Sequence, residues 1–442
     1  MSCSPSSDRS QPLLDSSPDR SPPESPFVLN LSAASSRWLY LSFLLLGFGA
    51  VLPTYVIFAA VDYFNDALPG ADIEFSLNVV FNGTLFAMSI CNCLFFTKHG
   101  FTVRIIGGFG AIGACMAALP VIDLLRPVAP LFDRAFEPLV VLIAALLGTA
   151  DAFAQASIFG LASAAFPPLY TKALMFGISI CGTSITLARV GCKLLLDDVR
   201  ASSYLFFALA ALYSISTAAL FVHLRLRHSL FRRHLHAATS TSPTLARRAI
   251  ERSPPGSKER DSLKPAASLS FSRQAGALLS SRAVLEPCAI LAILNAQQSV
   301  IVPSILALSQ DFLGQGWFHV LAVLAFNVGD MLGRGPLAGY CPCPMRFVWP
   351  AVGARFAVCA AICACVPPYA LSEEPLPLLL LGCTLGLTTG HLATSVIATA
   401  STRVPAEGRE SVGYLTILAI FVGLMAGSLA AIPLKHALEG AA

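Results

Sequence analysis

The sequence predicts an all-α polytopic membrane protein with eleven transmembrane helices in a six-plus-five arrangement. Three observations carry this reading. Hydrophobic residues make up 55% of the 442-residue chain and charged residues only 12%, about half the roughly 25% of an ordinary soluble domain. Mean hydropathy is +0.70, and apolar runs of the ~20 residues needed to cross a hydrocarbon core recur along the chain. Basic residues gather on alternate connections. This composition excludes a soluble globular enzyme, a disordered chain and a collagenous chain. Most of the thirteen cysteines lie inside apolar runs, Cys91, Cys181 and Cys359 among them. Buried cysteine behaves as a small hydrophobe, so no disulfide framework, catalytic role or metal role is expected.

Taken in order, residues 1–36 are rich in Ser, Pro and Asp and read as a disordered cytosolic tail, because they cannot bury enough surface to fold. They are not a secretory signal peptide, since the first long apolar run starts near Trp38. A six-helix bundle over 37–224 follows, with spans at 38–61, 76–97, 102–123, 138–164, 171–195 and 203–224. The stretch 225–282 carries twelve Lys/Arg against three Asp/Glu and reads as a basic, Ser/Pro-rich cytosolic loop. Ser242-Pro243 and Ser253-Pro254 there, like Ser21-Pro22 in the tail, are candidate phosphorylation sites. A five-helix bundle over 283–442 closes the chain, with spans at 284–310, 317–340, 347–370, 376–400 and 411–436. Pro53, Pro120, Pro303 and Pro350 inside spans predict kinks packed against neighbours. The glycines of 107–113 and Gly423/Gly427 predict close helix approach.

Loop charge sets the orientation. Lys98, Arg104, Lys172, the 225–282 loop, Arg346, Arg403 and Arg409 fall on one side. Asp62, Asp66, Asp72, Glu74, Asp123, Asp133, Asp197, Asp198, Asp311, Glu373 and Glu374 fall on the other, where Arg126, Arg134, Arg200 and Lys435 are the few cations. The positive-inside rule then puts the amino terminus and the long loop in the cytosol and the carboxyl terminus outside. The plasma membrane is the expected location. The triplets Asn82-Gly-Thr84 and Asn30-Leu-Ser32 fall in a span and on the cytosolic tail, and neither is expected to be glycosylated.

Polar groups at membrane depth are the candidate functional residues, because each costs at least ~2.5–3.5 kcal/mol in lipid unless it faces a partner or a wet cavity. Asp330 and Arg334 stand at i and i+4 in the eighth span, where they neutralise one another and serve as a structural pair, a pathway pair or both. Arg355 in the ninth span is placed to join them. Asp151 and Gln155 repeat the spacing in the fourth span. Gln155 offers a donor and an acceptor to a neutral ligand or to a neighbouring helix, and Asp151 is expected nearer the outer end, partly solvated. Arg189 and Lys193 repeat it again in the fifth span. Lys193 can snorkel, whereas Arg189 needs a partner that the sequence does not name. His391 in the tenth span is a candidate pH-sensing group. The sequence has no GxxxxGK[ST] loop, no HExxH and no metal-ligand spacing, so a carrier driven by substrate gradients, without cofactor or metal, is expected rather than a pump or an enzyme.

Four segments carry a family resemblance: GlyPheGlyAlaValLeuPro (47–53) with AspTyrPhe (62–64), GlnAlaSerIlePheGlyLeuAla (155–162) with ProProLeuTyrThr (167–171), PheAsnValGlyAspMetLeuGlyArg (326–334), and GlyHisLeuAla (390–393) with ValProAlaGlu (404–407). Together they are similar to the equilibrative nucleoside transporter family. The resemblance implies a major-facilitator-like fold with one helix missing, in which two helix groups rock around a central site. It implies that Gln155 contacts the nucleobase, that Asp330 and Arg334 face the ribose, and that Leu52 supplies an apolar contact. Family members commonly carry Trp after the first-helix Pro. This chain has Thr54 there, with Tyr55 expected to face elsewhere. The implied function is alternating-access movement of nucleosides down their gradient, purine nucleosides favoured and nucleobases included. The implied partners are the nucleoside or nucleobase and the bilayer; no nucleic-acid partner is expected, and nothing in the sequence demands more than a monomer. Two other carrier readings stand beside it. One is proton-coupled purine uptake using Asp151, Asp330 or His391. The other is a sugar or drug carrier of the major facilitator class, although LysHisGlyPheThrValArg (98–104) lacks that class's loop motif.

Overall fold

A chain crossing hydrocarbon has to satisfy its backbone polar groups within its own segments. The computed structural model does this with helices. It describes residues 33–68, 73–95, 100–128, 130–196, 198–241, 280–306, 317–367, 374–405 and 408–439, with Leu278 and Tyr369. Most of the tail and the stretch 242–277 of the long loop, with their Ser-Pro sites and Asn30, lie outside the described residues. Residues 1–38 form one unit and 39–442 another. Of the first, only the opening turns of a helix are described.

The helices are α1 Ala33–Ala50, α2 Leu52–Ala59, α3 Val61–Ala67, α4 Ile73–Leu94, α5 Phe101–Leu125, α6 Pro130–Ala165, α7 Pro168–Leu195, α8 Val199–Arg227, α9 Ser229–Thr241, α10 Arg282–Ser299, α11 Trp317–Leu332, α12 Met345–Cys365, α13 Pro375–Ala400 and α14 Arg409–Glu439. α10 runs on into a π-helical turn, Val300–Ile305, and α11 into another, Gly333–Leu337. Among the described residues, nine helices are long and apolar enough to cross a membrane, or ten if α1 and α2 count as one span bent by 45°. α4 occupies the place of the predicted second span. Length and apolarity alone therefore do not establish the expected eleven.

Two kinks match prolines. The chain breaks at Val51, two residues before Pro53 at the start of α2. It breaks again at Val302, whose extended backbone (φ −117, ψ 122) precedes Pro303. Pro120 and Pro350 sit inside helices that run through them. The expected flexible loop begins with a surprise: residues 229–241 form α9, because Phe231 and Leu235 recur at helical spacing and bury against the bundle.

Residues 39–442 pack as one unit, with the helix group α1–α8 before the long loop and the helix group α10–α14 after it. α6 packs on α4 and α5, α11 on α13, and α10 on α14; α14 crosses onto α4 and α6, and α11 onto α7. Glycines set the closest approaches. Gly329 and Gly333 of the α11 segment lie against the carbonyls of Cys383 and Leu387, and Gly386 and Gly390 of α13 against those of Phe326 and Asp330. Any Cβ at these four positions would overlap backbone. Gly423 and Gly427 do the same against Ala292 and Ala296 of α10. In the 107–113 run only part of the expectation holds: Gly108 and Gly113 are tightly packed, while a Cβ at Gly107 or Gly110 meets nothing within 4 Å.

Gly386→Ala is expected to lower the stability of detergent-solubilised protein by about 1–3 kcal/mol, the range for overpacking a well-filled contact. Gly110→Ala should leave it unchanged or slightly raised, since alanine favours the helix. Thermal unfolding of the two variants side by side measures the contrast.

Candidate functional site

A cavity of about 480 Å³ lies between the two helix groups, within the size range of small-molecule sites. α2, α3, α4, α6 and α7 line one wall, and α10, α11, α13 and α14 the other. Its walls are mostly apolar with a few amide, hydroxyl and charged groups.

Gln155 lines the cavity and is 5% exposed. Its Nε2 donates to the carbonyl of Ala50 at 3.1 Å, on the residue next to the break at Val51. Across the kink no backbone N–H bonds that carbonyl among the described residues, and the amide does so instead. Its neighbour one turn back, Asp151, is fully buried at 0% exposure. This corrects the expectation of partial solvation. α6 is 36 residues long and holds Asp151 well inside it. Thr54 Oγ1 donates to Asp151 Oδ2 at 3.4 Å, and Asp151 Oδ1 has no hydrogen bond among the described residues.

Across the cavity, Arg334 Nε donates to both carboxylate oxygens of Asp330, at 2.9 and 2.7 Å. Arg334 Nη1 lies 3.8 Å from Met175 Sδ on α7. Arg334 lines the cavity, whereas Asp330, 1% exposed, stands behind it. A buried pair of this kind is kept by its geometry, because both ions have lost their water. Arg334 falls in the π-helical turn after α11, a distortion common at functional sites.

The other expected residues separate. Thr54 lines the cavity, and so does Tyr55, against the expectation that it faces away. Tyr55 packs beside Gly182 and Asn327, because the bend leads α2 across the cavity wall and turns two successive positions towards it. Leu52, 0% exposed, instead borders a separate apolar cleft with Phe48, Ile185 and Tyr213. Arg355 is 1% exposed and bonds Thr389 Oγ1 at 2.7 Å. It makes no ion pair with Asp330 among the described residues. Its Nε and Nη1 have no hydrogen bond there. His391, half-buried on α13, does not line the cavity, and its Nδ1 has no partner among the described residues.

The partner that Arg189 requires is Asp62 on α3. Arg189 Nε and Nη2 reach the two carboxylate oxygens at 3.2 and 2.7 Å, Nη1 donates to Ser202 on α8 at 3.2 Å, and Lys193 Nζ joins Asp62 at 3.0 Å. Asp62, Arg189 and Lys193 all line the cavity. Sequence reading had placed Asp62 in a loop. Helix α3 turns it back over α7.

A further set of amides and hydroxyls escaped the sequence reading. Asn327 Nδ2 joins the helix groups by donating to the Gly182 carbonyl and to Thr186 Oγ1, at 3.2 and 3.1 Å. Asn82, 3% exposed and so closed to glycosylation, donates to Asn78 and to Ser428 Oγ on α14. Ser428 in turn bonds Ser299 at 2.9 Å. Arg104, expected on a connection, is 4% exposed; it donates to Asn92 Oδ1 at 3.1 Å and to the Tyr414 hydroxyl of α14 at 2.9 Å. Asn at membrane depth was the available signal, since an amide there needs a hydrogen-bond partner within the protein.

Two groups of apolar helices enclosing a mostly apolar cavity with a few inward polar groups, and hydrogen bonds crossing between them, are the architecture of a multi-pass membrane carrier. The fold agrees with solved carriers: the proton:xylose symporter XylE bound to 6-bromo-6-deoxy-D-glucose superposes with a TM-score of 0.62 over 93% of this chain and 90% of that one, at 13% identity. The family model described as "Nucleoside transporter" matches residues 141–436, and the chain belongs to that family. It is a transporter and not an enzyme. It is similar to Equilibrative nucleotide transporter 1 of Arabidopsis thaliana, 23% identical over 423 residues (92% of this chain and 90% of that one). Equilibrative nucleoside transporter 3 of Rattus norvegicus is 25% identical over 436 residues, covering 90% and 88%. Equilibrative nucleoside transporter 4 of Homo sapiens matches over a shorter stretch of 197 residues at 28% identity, 44% of this chain and 36% of that one.

Asp62→Asn and Arg189→Leu should each lower the melting temperature. In a double-mutant cycle they should show a coupling energy of about 1–3 kcal/mol, the range for contacting residues of one network. Additive effects would mean that the bridge does not hold α3 to α7.

Proposed function

We propose that this chain moves nucleosides, purine nucleosides foremost and nucleobases with them, down their gradient by alternating access. The observation that carries the reading is the placement of Gln155 on one wall of the cavity and the Asp330-bound Arg334 on the other. A nucleoside is uncharged and rich in donors and acceptors, with a flat base at one end and hydroxyls at the other. An amide suits the base edge, and a guanidinium oriented by its own carboxylate suits the ribose hydroxyls. In this scheme Arg334 touches the sugar, and Asp330 fixes its direction from behind. Thr54 and Tyr55 border the base, Tyr55 supplying the aromatic surface that Thr54 lacks. Leu52 acts at one remove, packing α2 in place. Asp151 supports Thr54, Arg355 stands in reserve as a second cation near Asp330, and His391 has a packing role.

The two walls come from different helix groups, which suits rocking about the site. Arg104 and Lys172 mark the cytosolic end, where Arg104 bonds Tyr414 and Lys172 Nζ reaches the Ala338 carbonyl at 3.5 Å. These contacts tie the helix groups together there. The partly exposed Asp62 and Lys193 mark the opposite, outer end. In this orientation the amino terminus and the 225–282 loop are cytosolic, the carboxyl terminus is extracellular, and the protein works in the plasma membrane as a monomer. The domain division is the tail 1–36, the bundle 37–224, the loop 225–282 and the bundle 283–442. A proton-coupled variant draws its support from one observation, the sealed carboxyl of Asp151 with an oxygen left unbonded among the described residues.

In cells lacking their own nucleoside uptake, the protein should give saturable entry of adenosine or inosine over seconds. Entry should be equal with and without a pH gradient; stimulation by an inward proton gradient would favour the coupled variant. Arg334→Ala and Asp330→Ala should abolish uptake with protein still at the surface, and near-normal uptake by either removes the pair from the pathway. Gln155→Ala should weaken uptake by about tenfold or more and change purine-to-pyrimidine preference, because the pocket then loses a hydrogen-bonding group. Unchanged preference would place the base elsewhere.

A further inference from the structure

Helix α8 ends in a run that the transport site does not use. Arg225 and Arg227 stand in its last turn, both exposed, and Leu226 between them is 64% exposed. An exposed leucine on a membrane-crossing helix belongs against hydrocarbon, and arginines in the same turn belong at headgroup level, where their stems lie along apolar surface and their charges reach water. This turn therefore marks the boundary between tails and headgroups.

The chain then folds straight back as α9. His228 Nδ1 accepts from the Phe231 amide at 3.3 Å and closes the corner. Phe231 is 0% exposed and packs tilted or edge-on among Phe43, Phe166 and Phe221 at centroid distances of 6.2, 5.6 and 5.6 Å. The apolar face of α9 is thus spent on the protein itself, which pins the helix in place beside the end of α8. Its other face carries Arg232 and Arg233, both exposed. The sequence from Arg225 to Thr241 holds four arginines and no Asp or Glu. None of the four makes an ion pair among the described residues. A fixed, unneutralised cluster of positive charge at headgroup level fits one surface above others, that of anionic lipids.

We propose that Arg225, Arg227, Arg232 and Arg233 form a binding site for anionic lipid headgroups, held rigid by the Phe231 anchor of α9. Guanidinium groups pair with phosphate in bidentate fashion, so a phosphoinositide, with several phosphates on one headgroup, is the ligand class that uses the most of the cluster. The site is independent of the substrate proposed above, since none of its residues lines the cavity.

The test uses the full chain purified in detergent and titrated with phosphatidylinositol 4,5-bisphosphate, with phosphatidylcholine and soluble inositol trisphosphate as comparison probes, read as bound adducts by native mass spectrometry. The phosphoinositide is expected to bind at concentrations where phosphatidylcholine does not. R225Q/R227Q/R232Q/R233Q should reduce occupancy by about tenfold or more, while the four Arg→Lys changes should keep most of it. Both variants have to elute as the wild type does on size exclusion, and because all four positions are exposed they are expected to. Unchanged binding in the Gln variant overturns the proposal. So does an equal loss in the Lys variant, which would remove charge as the cause. Binding of inositol trisphosphate as tight as that of the lipid also overturns it, because the site would then serve a soluble anion rather than a membrane surface.

Discussion

Each guanidinium buried in this bundle has to find its partner inside the protein, because the hydrocarbon around it offers none. Much of the architecture follows from how four of them do so. Arg189 takes Asp62 and thereby ties the short helix α3 to α7 and, through Ser202, to α8. Arg334 takes Asp330 one turn away and needs no other helix for its charge. Arg104 takes the neutral oxygens of Asn92 and Tyr414, and so links the two helix groups. Arg355 has a single hydroxyl, that of Thr389, and two nitrogens without a hydrogen bond among the described residues. Of the four it is the one with most to gain from a change of partner.

The cavity exists because helices that pack closely elsewhere are bent beside it. Glycines bring α11 against α13 and α10 against α14 with backbone touching backbone, which makes the carboxyl-terminal group a firm wall. The breaks at Val51 and Val302, each just ahead of a proline, carry α2 and the end of α10 along the cavity margin. The carbonyl exposed by the first break is bonded by Gln155. One side chain thus both bonds the carbonyl at the kink and lines the cavity.

Between the helix groups the links are single hydrogen bonds rather than ion pairs: the neutral ones from Asn327 to Gly182 and Thr186 and from Asn82 to Ser428, and the charge-assisted one from Arg104 to Tyr414. Neutral bonds of this kind are worth about 1 kcal/mol each in membrane interiors. A carrier that has to exchange one set of contacts for another in every cycle is served by links of this size. Strong ion pairs are kept within a group, Asp62 with Arg189 in the first and Asp330 with Arg334 in the second, where they do not resist rocking.

Composition, run length and charge alternation were enough, on the sequence alone, to establish a multi-pass helical membrane protein, since lipid imposes that pattern on any chain that crosses it. The i, i+4 pairing of Asp330 and Arg334 was also legible, because it lies within one helix and helical geometry is local. The motif 326–334 pointed to the family for the same reason: its residues act from one segment. What the sequence did not contain was any distance between segments. Asp62 read as a loop acid until α3 laid it across α7. Arg104 read as a loop cation until Tyr414, 310 residues away, met it. Asp151 read as half-solvated until the depth of α6 in the bundle was known. Leu52 read as a site residue and Tyr55 as a bystander because both depend on the direction of the bend at Val51. Those placements are decided by packing between helices, a property of pairs of segments that no single segment encodes.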